Sequence, residues 1–150
     1  MDSIKIVSGV KRIAINDDPD RVIEFNPSDS NFRTRFYTTY RELMTQLTLM
    51  GQREKELIDV ADEDEFGIPT SAGDRLALEL ESIQLARQKI DELFGAGTSQ
   101  TVFGDEMSQV IIGQFFDGIQ PFFESAVSDA VKKYARPKAR GNGKRKVMNG

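Results

Sequence analysis

The stretch Gln109-Val110-Ile111-Ile112-Gly113-Gln114-Phe115-Phe116-Asp117-Gly118-Ile119-Gln120-Pro121-Phe122-Phe123 decides how this chain folds. Its apolar residues recur at helical spacing, and with Ala126 and Val127 they cover an arc of roughly 160° on an ideal helix. A surface helix needs a stripe of only about 100°. Phe115 aligns with Phe122 and Phe116 with Phe123, which gives two aromatic rows on neighbouring faces. One row can face other helices of the same chain. The other must cover a small sheet, a partner or a second copy, unless the whole arc is core. The helical region is read from Asp105 to Tyr134, with Gly118 and Pro121 predicting a kink or a division into two shorter helices.

Working back toward the start of the chain, Phe94-Gly95-Ala96-Gly97-Thr98 ends a preceding helix. The two glycines follow a helical pattern rather than a strand, so they read as a helix stop and not as a phosphate cradle. Val102-Phe103-Gly104 reads as a linker. In the preceding helix Leu76, Leu80, Ile83, Ile90 and Phe94 form an apolar stripe broadened by Leu78, Leu85 and Leu93, with Thr70 or Ser71 as its cap. The loop before it, Asp62-Glu63-Asp64-Glu65-Phe66-Gly67-Ile68-Pro69, opens like a calcium loop. It then fails at the fifth position, Phe66, and at the twelfth, Gly73, where calcium needs oxygen ligands. The acidic side chains Glu54, Glu56, Asp59, Asp62 and Glu63 have no sequence context that would tune one of them for acid–base work.

Upstream, Phe32, Phe36, Tyr40, Leu43, Leu47 and Met50 mark one buried face of a helix of about 30 residues that starts near Asn31 and is capped by Ser28 or Asp29. The short acidic loop makes the two helices an antiparallel pair. Before them, Arg12-Ile13-Ala14-Ile15-Asn16 and Arg21-Val22-Ile23-Glu24-Phe25 flank the turn residues Asp17-Asp18-Pro19-Asp20 and predict a β-hairpin. Ile4-Lys5-Ile6-Val7 reads as a possible third strand.

Composition narrows the chemistry. The 150 residues contain no Cys and no His, which removes disulfides, zinc sites, Cys nucleophiles and His-based catalysis. No apolar run approaches the ~20 residues of a membrane span. Met1-Asp2-Ser3-Ile4-Lys5 lacks the basic-then-apolar pattern of a secretory signal. Net charge is −4, unevenly placed: Lys132, Lys133, Arg136, Lys138, Arg140, Lys144, Arg145 and Lys146 are followed and separated by no acid. The other 131 residues hold 12 basic and 24 acidic side chains. Residues 136–150 are too polar and glycine-rich to build a core, and are expected to form a disordered basic tail behind a single globular domain of residues 1–135. Such a tail serves either as a nucleic-acid arm or as a solubilising end that rests on the acidic body. It lacks aromatics for base stacking, which argues against nucleic acid as a partner.

Three segments resemble one known family. Ile15-Asn16-Asp17-Asp18-Pro19-Asp20-Arg21-Val22-Ile23-Glu24-Phe25-Asn26-Pro27-Ser28-Asp29 is similar to the opening of a family of small tail proteins from phages and prophages of Gram-positive bacteria. Ile90-Asp91-Glu92-Leu93-Phe94-Gly95-Ala96-Gly97-Thr98-Ser99-Gln100, followed by Val102-Phe103-Gly104-Asp105, resembles its central signature. Gln114-Phe115-Phe116-Asp117-Gly118-Ile119-Gln120-Pro121-Phe122 resembles a later segment. The similarity spans most of residues 12–134 in the same order. The family is that of tail assembly chaperones of siphophage type. The resemblance implies a non-catalytic protein of the infected or lysogenic host cytoplasm. It would coat the tape measure protein until tail tube subunits polymerise around it, with the tail tube protein as a second possible partner. Many members are made in a short and a frameshift-extended form, and Lys144-Arg145-Lys146 would lie near such a shift site.

The sequence therefore predicts an α+β, predominantly helical fold. A β-hairpin or small sheet packs on an antiparallel helical hairpin and a kinked third helix. The candidate partner-binding residues are Phe103, Ile112, Phe115, Phe116, Ile119, Phe122 and Phe123, with a separate basic tail of Arg136, Lys138, Arg140, Lys144, Arg145 and Lys146. No catalytic residue, cofactor or metal is expected, and a homo-oligomer is possible. The competing readings are a phage-encoded inhibitor of a host defence protein, a nucleic-acid-binding protein that uses the tail, and a structural subunit retained in the virion.

Overall fold

In the computed structural model the chain is described over residues 1–59 and 62–139, with side-chain surroundings as far as Ser125. The element order is β1 (Lys11–Ile15), β2 (Asp18–Phe25), α1 (Ser30–Ile58), α2 (Ala72–Phe94), α3 (Thr98–Phe103) and α4 (Gln109–Ala139). This is an α+β fold dominated by helix.

The hairpin turns more tightly than its sequence suggests. Asn16 and Asp17 alone make the turn, both with positive φ, at 53° and 59°. Two left-handed residues give a turn whose twist matches that of the strands, and Asn and Asp tolerate that region better than other non-glycine residues. Asp18, Pro19 and Asp20, expected in the turn, belong to β2. The register shifts between Ala14 and Ile15, which pair with Val22 and Asp18. Arg21 lies in that irregular stretch, and its guanidinium donates to the carbonyl oxygens of Thr101, at 3.0 Å, and Val102. A bulged strand thus aims a cation at the carbonyl end of α3, where the helix dipole favours positive charge. Residues 1–10 form no strand, so the sheet has two strands.

Asp29 caps α1 by accepting from the Asn31 N–H at 2.9 Å. All six residues of the expected α1 stripe, Phe32 through Met50, are buried or half-buried. Phe94, at the end of α2, meets Phe32 and Phe36 at the start of α1, so the two helices are antiparallel as the short loop required. The inward face of α2 is displaced from the expected stripe. Leu76 and Leu80 are exposed, while Leu78, Ile83, Ala86, Ile90 and Leu93 are buried. The small Ala86 lets the helices approach closely, a contact that a search for large side chains overlooks.

The stretch expected as a linker forms a six-residue helix, α3, between two glycine joints. Gly95 (φ 114°) ends α2, Gly97 (φ 87°) precedes α3 and Gly104 (φ 61°) ends it. So short a helix cannot hold itself, and α2 supplies what it lacks. The Asp91 carboxylate accepts from the Ser99 N–H at 2.7 Å and the Ser99 hydroxyl at 3.0 Å, which caps the start of α3. One turn back, Arg87 donates to the carbonyls of Gly104, at 2.8 Å, and Glu106, at 3.1 Å, and to the Gln100 side chain, with its guanidinium over the Phe103 ring.

Helix α4 runs unbroken through Gly118 and Pro121, so the region is one helix and not two. It starts at Gln109 rather than near Asp105. Its backbone remains helical through Ala139, so positions 136–139, expected as the start of the tail, continue the helix. The basic-tail residues Arg140, Lys144, Arg145 and Lys146 lie outside the described residues. Arg136 and Lys138 lie on the described backbone of α4, beyond the side chains described.

Replacing Asp91 with Ala removes two hydrogen bonds, both to a charged acceptor, and leaves the start of α3 uncapped. The expected loss is about 1–3 kcal/mol, read as a lower urea midpoint with an unchanged slope.

Candidate docking groove

Nine of the ten phenylalanines belong to one connected aromatic network, Phe66 being the exception. Phe123 stacks on Phe32 at 5.9 Å and lies 4.7 Å from Phe36. Phe122 meets Phe25 edge-on at 6.2 Å. Phe116 packs on Phe36 and Tyr40, and Phe115 on Phe94 and Phe103. Both aromatic rows of α4 are therefore spent inside the molecule.

The expected partner-binding residues are thus engaged in internal packing, while Ile112 and Phe116 also line the groove described below. Phe103, Ile112, Phe115 and Ile119 are buried core side chains. Phe116, Phe122 and Phe123 are half-buried, each committed to ring contacts with β2 or α1. The wide apolar arc arises because α4 packs against α1 on one side and against α2, α3 and the hairpin on the other. The periodicity of α4 alone could not separate that arrangement from an exposed face.

The surplus apolar surface lies elsewhere. Between α1, α2 and the first two turns of α4 the helices leave a groove of about 320 Å³. Its floor is apolar, built by Leu43, Leu47 and Met50 of α1, Leu78 and Ile83 of α2, and Ile112 of α4. Met44 and Phe116 form parts of its walls. Two glycines, Gly51 and Gly113, are among its lining residues. A Cβ added at Gly51 in α1 or Gly113 in α4 would meet no atom within 4 Å. Gly51 weakened the expected helical pattern, and it is accommodated in the last third of α1 without a break.

The groove's polar groups are few. Ser82 donates to the Glu79 carbonyl at 2.6 Å, so its hydroxyl is already satisfied. Among the described residues, Glu54, Glu79 and Asp117 are the charged side chains that line it, and no Lys or Arg does. The combination is an apolar trough with an acidic rim. It has shape and charge for binding an apolar surface, and it has no paired acid and base, no nucleophile–base contact and no cluster of metal-ligating side chains.

No family model, curated protein or solved structure matches this chain.

The groove was legible only in part. Leu43, Leu47, Met50 and Ile112 are apolar positions that the periodicity marks, but the gap between them depends on the angles at which three helices meet. Gly51 and Gly113 were the available signal. A glycine in a helix costs about 0.5–1 kcal/mol relative to Ala, so its presence asks for a reason. Asp64, in the acidic loop, serves its own turn by accepting from the N–H groups of Phe66 and Ile68 at 2.8 and 3.0 Å. Among the described residues no helix is long and apolar enough to cross a membrane.

Gly51→Ala and Gly113→Ala should each raise the unfolding free energy by about 0.5–1 kcal/mol in chemical denaturation, because the added methyl enters open space and stiffens the helix.

Proposed function

We propose that this chain is a non-catalytic tail assembly chaperone whose groove holds a helical segment of the tape measure protein in the host cytoplasm. The observation that carries the reading is the open apolar trough between α1, α2 and α4. The ordered resemblance of residues 12–134 to that family supplies the identity of the client.

The physical logic runs from the groove outward. An aggregation-prone helix buries one apolar stripe when it lies in a groove, with anchors repeating at three- and four-residue intervals. The acidic rim of Glu54, Glu79 and Asp117 favours a client whose stripe is flanked by Lys or Arg. It also disfavours acidic segments, including the acidic surface of another copy of this chain. A site of modest volume with few directional bonds gives weak, repeated contacts along a long client. That suits a shield which must leave when tail tube subunits arrive. The tail tube protein is then the competitor that displaces the chaperone.

The test must spare the aromatic core. Substituting Phe116 or Phe123 would remove rings from that network and unfold the domain rather than report on binding. Met44 is 43% exposed and Gly113 faces open space, so Met44→Asp with Gly113→Glu places charge in the trough without emptying the core. This double variant should keep its far-ultraviolet circular dichroism and lose at least about tenfold in co-purification with the tape measure protein, corresponding to about 1.4 kcal/mol. Undiminished capture by the folded variant overturns the groove as the client site. Retrieval of a host nuclease or immune effector instead of tail proteins by the unaltered chain overturns the chaperone reading.

A further inference from the structure

A second surface stands apart from the groove. Residues 1–8 join no strand or helix, and Ile4, Ile6 and Val7 are 87%, 89% and 92% exposed. No other run of large apolar side chains among the described residues stands so far from the protein. The adjoining hairpin has an unsatisfied edge. Among the described residues β1 is hydrogen-bonded to β2 alone, and a two-stranded sheet is marginal without a third strand or a packed face.

The inward face of β1 is incompletely covered as well. Ile13 and Ile15 are half-buried, and they line a cavity of about 440 Å³ together with Val102, Phe103, Ile119 and Phe122. β1 contributes Ile13, Ala14 and Ile15 to its lining. A strand added there with apolar residues at alternate positions would close it.

Residues 4–7 have that pattern. Antiparallel pairing with Lys5 opposite Ala14 sets Ile4 against Ile15 and Ile6 against Ile13, with all four isoleucines on the cavity side. Lys5 and Ala14 then share the solvent face. Within one chain this register would require a two-residue turn at Gly9-Val10. The favoured turns of that length need a positive φ at the first position, and Gly9 does not have one. Gly9 is instead seated against the loop before α1, so tightly that a Cβ there would lie 2.0 Å from the Ser28 hydroxyl oxygen. That loop is itself fixed by Pro27, which is fully buried, and by the Ser28 hydroxyl bond to Asn26 at 2.6 Å. Folding the arm back onto its own β1 would unseat Gly9. A second copy can supply the same strand at no such cost, the situation in which chains exchange an element.

We infer that residues 4–7 add as an antiparallel strand to the open edge of β1 in a second copy of this chain. Donor strand and acceptor edge are present on every copy, so two copies satisfy each other, and the exchange is independent of whatever the helical groove binds.

The chain lacks Cys, which makes the test direct. Lys5→Cys and Ala14→Cys single variants are prepared separately, mixed and oxidised. Directly opposed strand residues lie within disulfide reach. The mixture should yield a disulfide-linked species of twice the chain mass well beyond the amount formed by either variant alone. By analytical ultracentrifugation the unaltered chain should be a dimer, and Ile4→Asp with Ile6→Asp should weaken self-association about 100-fold while leaving the helical signal unchanged. A monomeric unaltered chain, an oligomer indifferent to the two aspartates, or a mixture that cross-links no better than its components overturns the inference. An intrachain disulfide in the Lys5→Cys/Ala14→Cys double variant as the main product also overturns it, by showing that the arm folds back on its own β1.

Discussion

The fold depends on the packing of phenylalanine rings contributed by elements far apart in sequence. Phe25 of β2 touches Phe32 of α1, Phe94 of α2, and Phe122 and Phe123 of α4. Most of these pairs are tilted or edge-to-face, the geometry in which ring quadrupoles attract, worth about 0.5–1.5 kcal/mol per pair beyond burial. β2, α1, α2, α3 and α4 each place at least one ring in the shared cluster, and α4 places four. This explains how a strand pair too small to be independently stable is held on a helical body. It also explains why α4 carries more aromatic area than a surface helix requires.

Around this cluster polar side chains set the angles. Arg21, Arg87 and Asp91 hold the short helix α3 by its carbonyls and its first free N–H groups. The central segment that resembles the tail assembly chaperones coincides with this joint. Its glycines occupy backbone conformations that other residues rarely adopt, and its aspartate is a helix cap. The residues that carry the resemblance here are thus engaged in shaping the fold, at the point that fixes how α4 departs from α2 and how far apart the walls of the groove stand.

Much of the architecture is legible in the sequence, for identifiable reasons. The α1 stripe has unbroken three- and four-residue spacing, and each of its marked residues turns inward. The hairpin is signalled by β-branched runs around turn residues. Three features escape. The α2 face is misassigned because the buried Ala86 is too small to stand out in a search for large apolar side chains, while Leu80 faces outward. The α3 helix is missed because its stability comes from Asp91 and Arg87 on another element. Pro121 overstates the interruption of α4, which tolerates the loss of one backbone hydrogen bond. Of the candidate binding residues, the phenylalanines are rightly singled out as the dominant apolar feature but are drawn into the core. Solitary helical patterns carry no information about which neighbour covers them. Gly51 and Gly113 line the groove, and each leaves open space where a side chain would stand.

The floor of the trough is built from the same residues that hold the helices together. Leu43, Ile83 and Ile112 are at once core side chains and the base on which a guest would rest. A guest seated there completes the protein's interior, and binding and cohesion become one equilibrium. The vacant chain is then the form more readily unfolded and digested. If the groove holds the proposed client, copies in excess of that client would be the first to be cleared.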